Sequence, residues 1–153
     1  MNVFLNRRYH FSASHRLHVD SLSDEENRET FGKCNNPFGH GHNYSVTVRL
    51  SGPVDPVTGM VANLADLDRF AQVNLLSRFH LVNLNTLEPF ENVVPTTENL
   101  AIEVHRIFSA FPHAFLASVN VEETSSNSFL YVTPSIYLDA GDSQASTPKG
   151  SAT

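Results

Sequence analysis

Three histidines carry the strongest chemistry in the chain. The segment Gly39-His40-Gly41-His42 places two imidazoles two residues apart, and in an extended backbone such positions point to the same face. The flanking glycines let the backbone bend and keep bulk away from the rings. A third imidazole is available at His15, which ends the run Ser12-Ala13-Ser14-His15. Three neutral imidazoles with one open position form the ligand set of catalytic zinc, whereas structural zinc sites fill four positions, usually with cysteines. A His-x-His pair alone reads equally well as two histidines of a surface loop, and His10, His18, His105 and His113 show no such pattern. The chain has one cysteine, Cys34. It cannot close an internal disulfide, and from its type alone it is either a small buried hydrophobe or a reactive thiol.

Positioning these side chains requires strands on either side of a turn-rich segment. Residues 2–14 mix apolar and polar positions with β-favouring aromatics, which predicts a strand. Ser23 followed by Glu26 is a capping box, so a short helix is expected over 23–31. Residues 32–41 contain Pro37, two asparagines and three glycines and read as a loop. From 42 to 52 the sequence alternates, with Tyr44, Val46, Val48 and Leu50 on one face. Asp55-Pro56-Val57-Thr58-Gly59 predicts a turn, after which Met60-Val61 resumes a strand. A helix is expected from Asn63 or Asp66 to about Phe79, and a second, capped by Thr97, to about Phe111. Residues 115–123 and 128–133 predict a hairpin across Ser125-Ser126-Asn127. The hairpin-linked order implies an α+β fold, an antiparallel sheet with helices on one face. One domain is expected over 1–138, followed by a small, polar, disordered tail at 139–153.

Bulk properties narrow the function classes. A length of 153 residues with 41% hydrophobic and 17% charged residues suits one soluble globular core. A net charge of −6 argues against a nucleic-acid partner. No apolar run reaches the roughly 20 residues of a membrane span, and no signal-peptide layout opens the chain, so a cytoplasmic location is expected.

Several blocks together resemble the 6-pyruvoyl-tetrahydropterin synthase family. They are Phe11-Ser12-Ala13-Ser14-His15-Arg16-Leu17, Phe31-Gly32-Lys33-Cys34-Asn35-Asn36-Pro37, Gly39-His40-Gly41-His42-Asn43-Tyr44, Asp55-Pro56-Val57-Thr58-Gly59-Met60-Val61, Asn63-Leu64, Thr96-Thr97-Glu98-Asn99 and Glu123-Thr124. The resemblance implies a tunnelling fold, with a four-stranded antiparallel sheet and two helices on one face. It also implies a homohexamer built as a dimer of trimers, which would pair otherwise free sheet edges. Zn2+ would be held by His15, His40 and His42, with Cys34 as catalytic base. Glu123 would anchor a reduced pterin, with Thr97 and Glu98 as further pterin contacts. The implied reaction is that of a phosphorus–oxygen lyase, converting 7,8-dihydroneopterin triphosphate to 6-pyruvoyl-tetrahydropterin and triphosphate. The spacing of Cys34 six residues before His40 resembles this branch rather than the related 6-carboxytetrahydropterin synthases.

One block departs from the family. Its pattern Leu-Asp-His-Lys/Arg-Asn-Leu supplies an Asp-His relay to the cysteine, whereas this chain reads Phe79-His80-Leu81-Val82-Asn83-Leu84. Aligned without a gap, the preferred register, His80 replaces the aspartate and Leu81 the histidine; a one-residue shift would keep His80 as the histidine and put Phe79 at the aspartate. His80 is then the remaining candidate acid, and the relay carboxylate is absent. A related pterin side-chain lyase and a pterin-binding paralogue with weak catalysis stay open as alternatives. The triphosphate raises a further question in an acidic chain: zinc, Arg16 and Lys33 would have to concentrate positive potential locally, at a place the sequence does not locate.

Overall fold

The computed structural model describes residues 3–134; the expected tail at 139–153 lies outside the described residues. The architecture is one sheet, antiparallel except for a short parallel edge strand, with helices packed on one face. Strand β1 (Val3–His15) is followed by helix α1 (Asp24–Phe31) and strand β2 (His40–Gly52). Helix α2 (Leu64–Ala71) continues through a π-helical turn (Gln72–Leu76) into a last turn (Ser77–Phe79). Then come β3 (Val82–Asn83), α3 (Thr97–Phe108), β4 (Phe115–Thr124) and β5 (Asn127–Val132). The sheet order is β3-β1-β2-β4-β5.

The expected four strands are therefore corrected to five. The extra one is β3, two residues that pair in parallel with Ala13 and Ser14 after Leu81 N–H donates to Ser12 O at 2.6 Å. So short a segment, without alternation, carries no periodic signal.

The core lies between the sheet and the two longer helices. Period-two alternation sends Tyr9, Phe11, Tyr44, Val46, Val48, Leu50, Val119 and Val121 to the helical side, where all are buried. There they meet Leu67, Leu75 and Phe79 of α2 and Leu100, Val104 and Phe108 of α3. Helix α1 starts where expected, with Ser23 accepting from Glu26 N–H and the Glu26 carboxylate accepting from Ser23 N–H.

Several boundaries differ from expectation; β2 already begins at His40, inside the segment expected as a loop, and three further differences have a visible local cause. Thr96, not Thr97, caps α3: its backbone is extended and its hydroxyl accepts from Asn99 N–H, while Thr97 is already helical and buried. The helix ends at Phe108 because Ala110 and Phe111 turn back onto Ile107 and Phe108 ahead of Pro112. Met60-Val61 forms no strand. Asp55 Oδ1 accepts from Val57 and Thr58 N–H, and Asp55 N–H donates to Met60 O, so the segment closes into a loop.

Candidate metal centre

The site sits at one end of the long β1–β2 ladder. That ladder runs without a break from Val3 opposite Gly52 to His15 opposite His40. The register puts the two histidines face to face although they are far apart in sequence. Counting back by twos from Tyr44 also brings His42 and His40 to the helical side of β2. The ring centroids of His15 lie 5.0 Å from both His40 and His42, and those of His40 and His42 are 4.7 Å apart. Glu123 follows Val119 and Val121 on the same face of β4, and its Oε1 lies 3.7 Å from His15 Nε2 and 3.6 Å from His42 Nε2. Cys34 approaches from the 3₁₀ turn Gly32–Asn35, held to the segment just after β1 by Leu17 N–H donating to Cys34 O at 2.7 Å. Ligand atoms of His15, Cys34 and His40 lie within 4.8 Å of one another, and so do those of His15, His42 and Glu123.

The donor set fits a cation. His15 is 1% exposed. Its Nδ1–H donates to Pro95 O at 2.9 Å, which fixes the tautomer and leaves Nε2 as a lone pair aimed into the cluster. That Nε2 is buried without a hydrogen-bond partner, a costly arrangement unless something electron-poor meets it. His40 Nε2 and His42 Nε2 converge to 2.8 Å. Burial is the main cause holding the His15 and His42 pKa values below the usual imidazole range, so both rings are neutral and able to ligate. Burial, aided by the Glu123 charge, pushes the Cys34 thiol up. Tyr44 packs behind the cluster, its hydroxyl 3.4 Å from His15 Nδ1.

Gly39 is the hinge of this construction. Its φ is +68°, and a Cβ there would lie 2.8 Å from the His15 carbonyl oxygen. Gly39→Ala combines left-handed strain of roughly 1–2 kcal/mol with a backbone collision at the residue carrying a candidate ligand. The expected outcome is a lower urea midpoint together with a reduced zinc content of the purified protein; wild-type values for both would disprove the role of this contact.

The remaining expected site residues are distributed differently. Thr97 is buried at the start of α3 and Glu98 is exposed beside it. His80 belongs to neither ligand group. It is exposed at the end of α2, and its Nδ1 accepts from Ser12 N–H at 3.1 Å. The neutral ring therefore carries its proton on Nε2. The following residues, Leu81, Val82 and Asn83, line a cleft with His42 and Asn43. Sequence reasoning missed Pro95, whose carbonyl orients His15; the Pro itself is legible, but its reach across 80 residues is not.

Fold and site together define a class: α+β proteins in which three histidines on two paired strands converge at the end of an antiparallel sheet. The model of the 6-pyruvoyl tetrahydropterin synthase family matches residues 4–134. The human 6-pyruvoyl tetrahydrobiopterin synthase is 47% identical over 129 residues, covering 83% of this chain and 89% of that protein. The Drosophila melanogaster protein of the same name is 44% identical over 136 residues, 86% of this chain and 80% of its own. A solved structure of the Caenorhabditis elegans 6-pyruvoyl tetrahydropterin synthase superposes with a TM-score of 0.82 at 43% identity, covering 87% of this chain and 96% of that one. The chain belongs to the 6-pyruvoyl tetrahydropterin synthase family.

Proposed function

We infer that the protein is a zinc-dependent 6-pyruvoyl-tetrahydropterin synthase, a phosphorus–oxygen lyase acting on 7,8-dihydroneopterin triphosphate. The observation that carries the reading is the buried, partnerless Nε2 of His15 facing the other two imidazoles, Cys34 and Glu123 in a member of this family. His15, His40 and His42 hold the zinc. When bound, zinc supplies Lewis acidity toward the side-chain hydroxyls of the pterin and positive charge that lowers the Cys34 pKa.

The chain's own residues divide the remaining work. Cys34 takes the proton from the carbon bearing a side-chain hydroxyl. Glu123 accepts from the paired N–H donors at the pterin edge, a bidentate charge-assisted contact, and Thr97 and Glu98 lie along the same ring. While Ser12 N–H occupies its Nδ1, the His80 ring can donate a hydrogen bond from Nε2, and it serves as an acid only once that contact opens and Nδ1 is protonated. The working form is a cytoplasmic homohexamer in which sheet edges pair between subunits.

The second reading is a pterin-binding paralogue with weak catalysis. It is favoured by one observation: positions 79–81 read Phe-His-Leu and offer no carboxylate. Incubating the zinc-loaded protein with dihydroneopterin triphosphate separates the two. Release of triphosphate with a 6-pyruvoyl product supports the first reading. A carboxylated or cleaved side chain instead indicates a related lyase, and tight binding without product indicates the paralogue. Cys34→Ala is expected to reduce turnover by at least about a hundredfold while zinc stays bound; unchanged turnover would remove Cys34 as the base.

A further inference from the structure

At the Gly32–Asn35 turn lies a cavity of about 340 Å3 lined by Arg16, Arg28 and Lys33 with Asn35, Asn36 and Asp24. Three cations around one concavity run against the net charge of −6. Among the described residues none of the three makes an ion pair; the arginines that do are Arg7, Arg69 and Arg106. Asp24 and Arg28 stand one helical turn apart on α1, a spacing that permits a pair, yet they do not form one. Asp24 is an acidic first-turn residue of that helix, a position the helix dipole favours by itself.

Arg16 is held in place by neutral acceptors. Its Nε donates to Asn35 O at 3.3 Å, and its Nη2 lies 3.3 Å from His18 Nδ1. The guanidinium is thus oriented without being neutralised. Unneutralised cations gathered at a concave wall repel one another and concentrate positive potential; oxygens of a polyanion satisfy several of them at once. Arg16 adjoins His15, and Lys33 adjoins Cys34. The wall of this cavity is therefore the backbone that also carries the candidate metal ligand and base.

We propose that the Arg16–Arg28–Lys33 cavity is the polyphosphate subsite, receiving the triphosphate of the substrate while its pterin end is anchored at Glu123. The assignment rests on the reading given under Proposed function and extends it. It gives the acidic chain a local positive surface within one residue of both reacting groups.

The test uses the zinc-loaded full chain, titrated by calorimetry at low ionic strength with inorganic triphosphate and separately with unphosphorylated dihydroneopterin. Wild type is expected to bind both. Arg28→Ala and Lys33→Gln, both at exposed positions, are each expected to weaken triphosphate by about tenfold, the size of one lost charge-assisted contact, and to flatten its salt dependence. Glu123→Gln is expected to weaken dihydroneopterin and leave triphosphate affinity in place. Zinc content and far-ultraviolet circular dichroism check that each variant is folded. Wild-type triphosphate affinity in both cavity variants would overturn the subsite even with pterin binding intact. Charge-dependent triphosphate binding without any pterin binding would instead leave the subsite standing and sink the functional reading.

Discussion

His15→Ala is expected to strip the protein of stoichiometric zinc and, with it, of turnover. Its imidazole is the most completely enclosed of the three, and its free nitrogen has nothing else to bind. Losing an outer contact to a metal ligand already costs about ten- to a hundredfold in metal affinity, so losing a ligand outright should exceed that range. Because Ala at a buried site also leaves a void, His42→Ala is the companion variant; its side chain is 16% exposed and its removal disturbs less packing. Metal analysis of both proteins after dialysis checks the expectation, and full zinc occupancy in both would refute it. Acidification should mimic the loss. The folded His15 and His42 pKa values lie below the ordinary 6.5, so the neutral rings contribute stability above that pH, and the contribution is lost as pH falls through 6.5 toward the folded values. The urea midpoint of the metal-free protein should drop between about pH 7 and pH 5.

The second large effect is a gain. The double substitution His80→Asp with Leu81→His writes the family's relay back into the loop after α2, and is expected to raise turnover by about 10²–10³-fold, the range of a positioned acid–base group. The local structure is ready for it. Leu81 has φ +60°, the one non-glycine residue with positive φ among those described. That region suits His, Asn and Asp better than Leu, so a histidine there relieves rather than adds strain. Leu81 is 77% exposed and forfeits no core contact. It lines a cleft along the ends of β1 and β2 together with Ser12, Ser14 and Asn43, so a longer polar side chain has room there. Leu81→His alone should gain less, because its ring would lack a carboxylate to orient it. Steady-state rates on dihydroneopterin triphosphate decide the matter; a double variant that binds zinc and pterin but stays at the wild-type rate would show that the relay is not what limits this chain.

The local features were readable from the chain. Ser23 and Glu26 announce α1, alternation from Tyr44 to Leu50 announces β2, and the His-x-His spacing marks the centre of the site. Structure and local pattern part where distant or very short contacts decide: β3 exists because two residues find the edge of β1, and Met60-Val61 is a loop because Asp55 claims the neighbouring N–H groups.

The sequence by itself determined the residue types of the candidate metal centre, the family and the lack of a carboxylate at positions 79–81, since each is written in contiguous motifs whose chemistry does not depend on distant partners. Only the tertiary structure decided that His15 stands opposite His40, that Pro95 sets its tautomer, that Glu123 shares the cluster, and that Arg28 joins Arg16 and Lys33 around one cavity. The physical reason is common to all four. Strand register and helix docking are settled by burying one apolar face across the whole sheet, and that long-range packing, not local spacing, carries these side chains to one another.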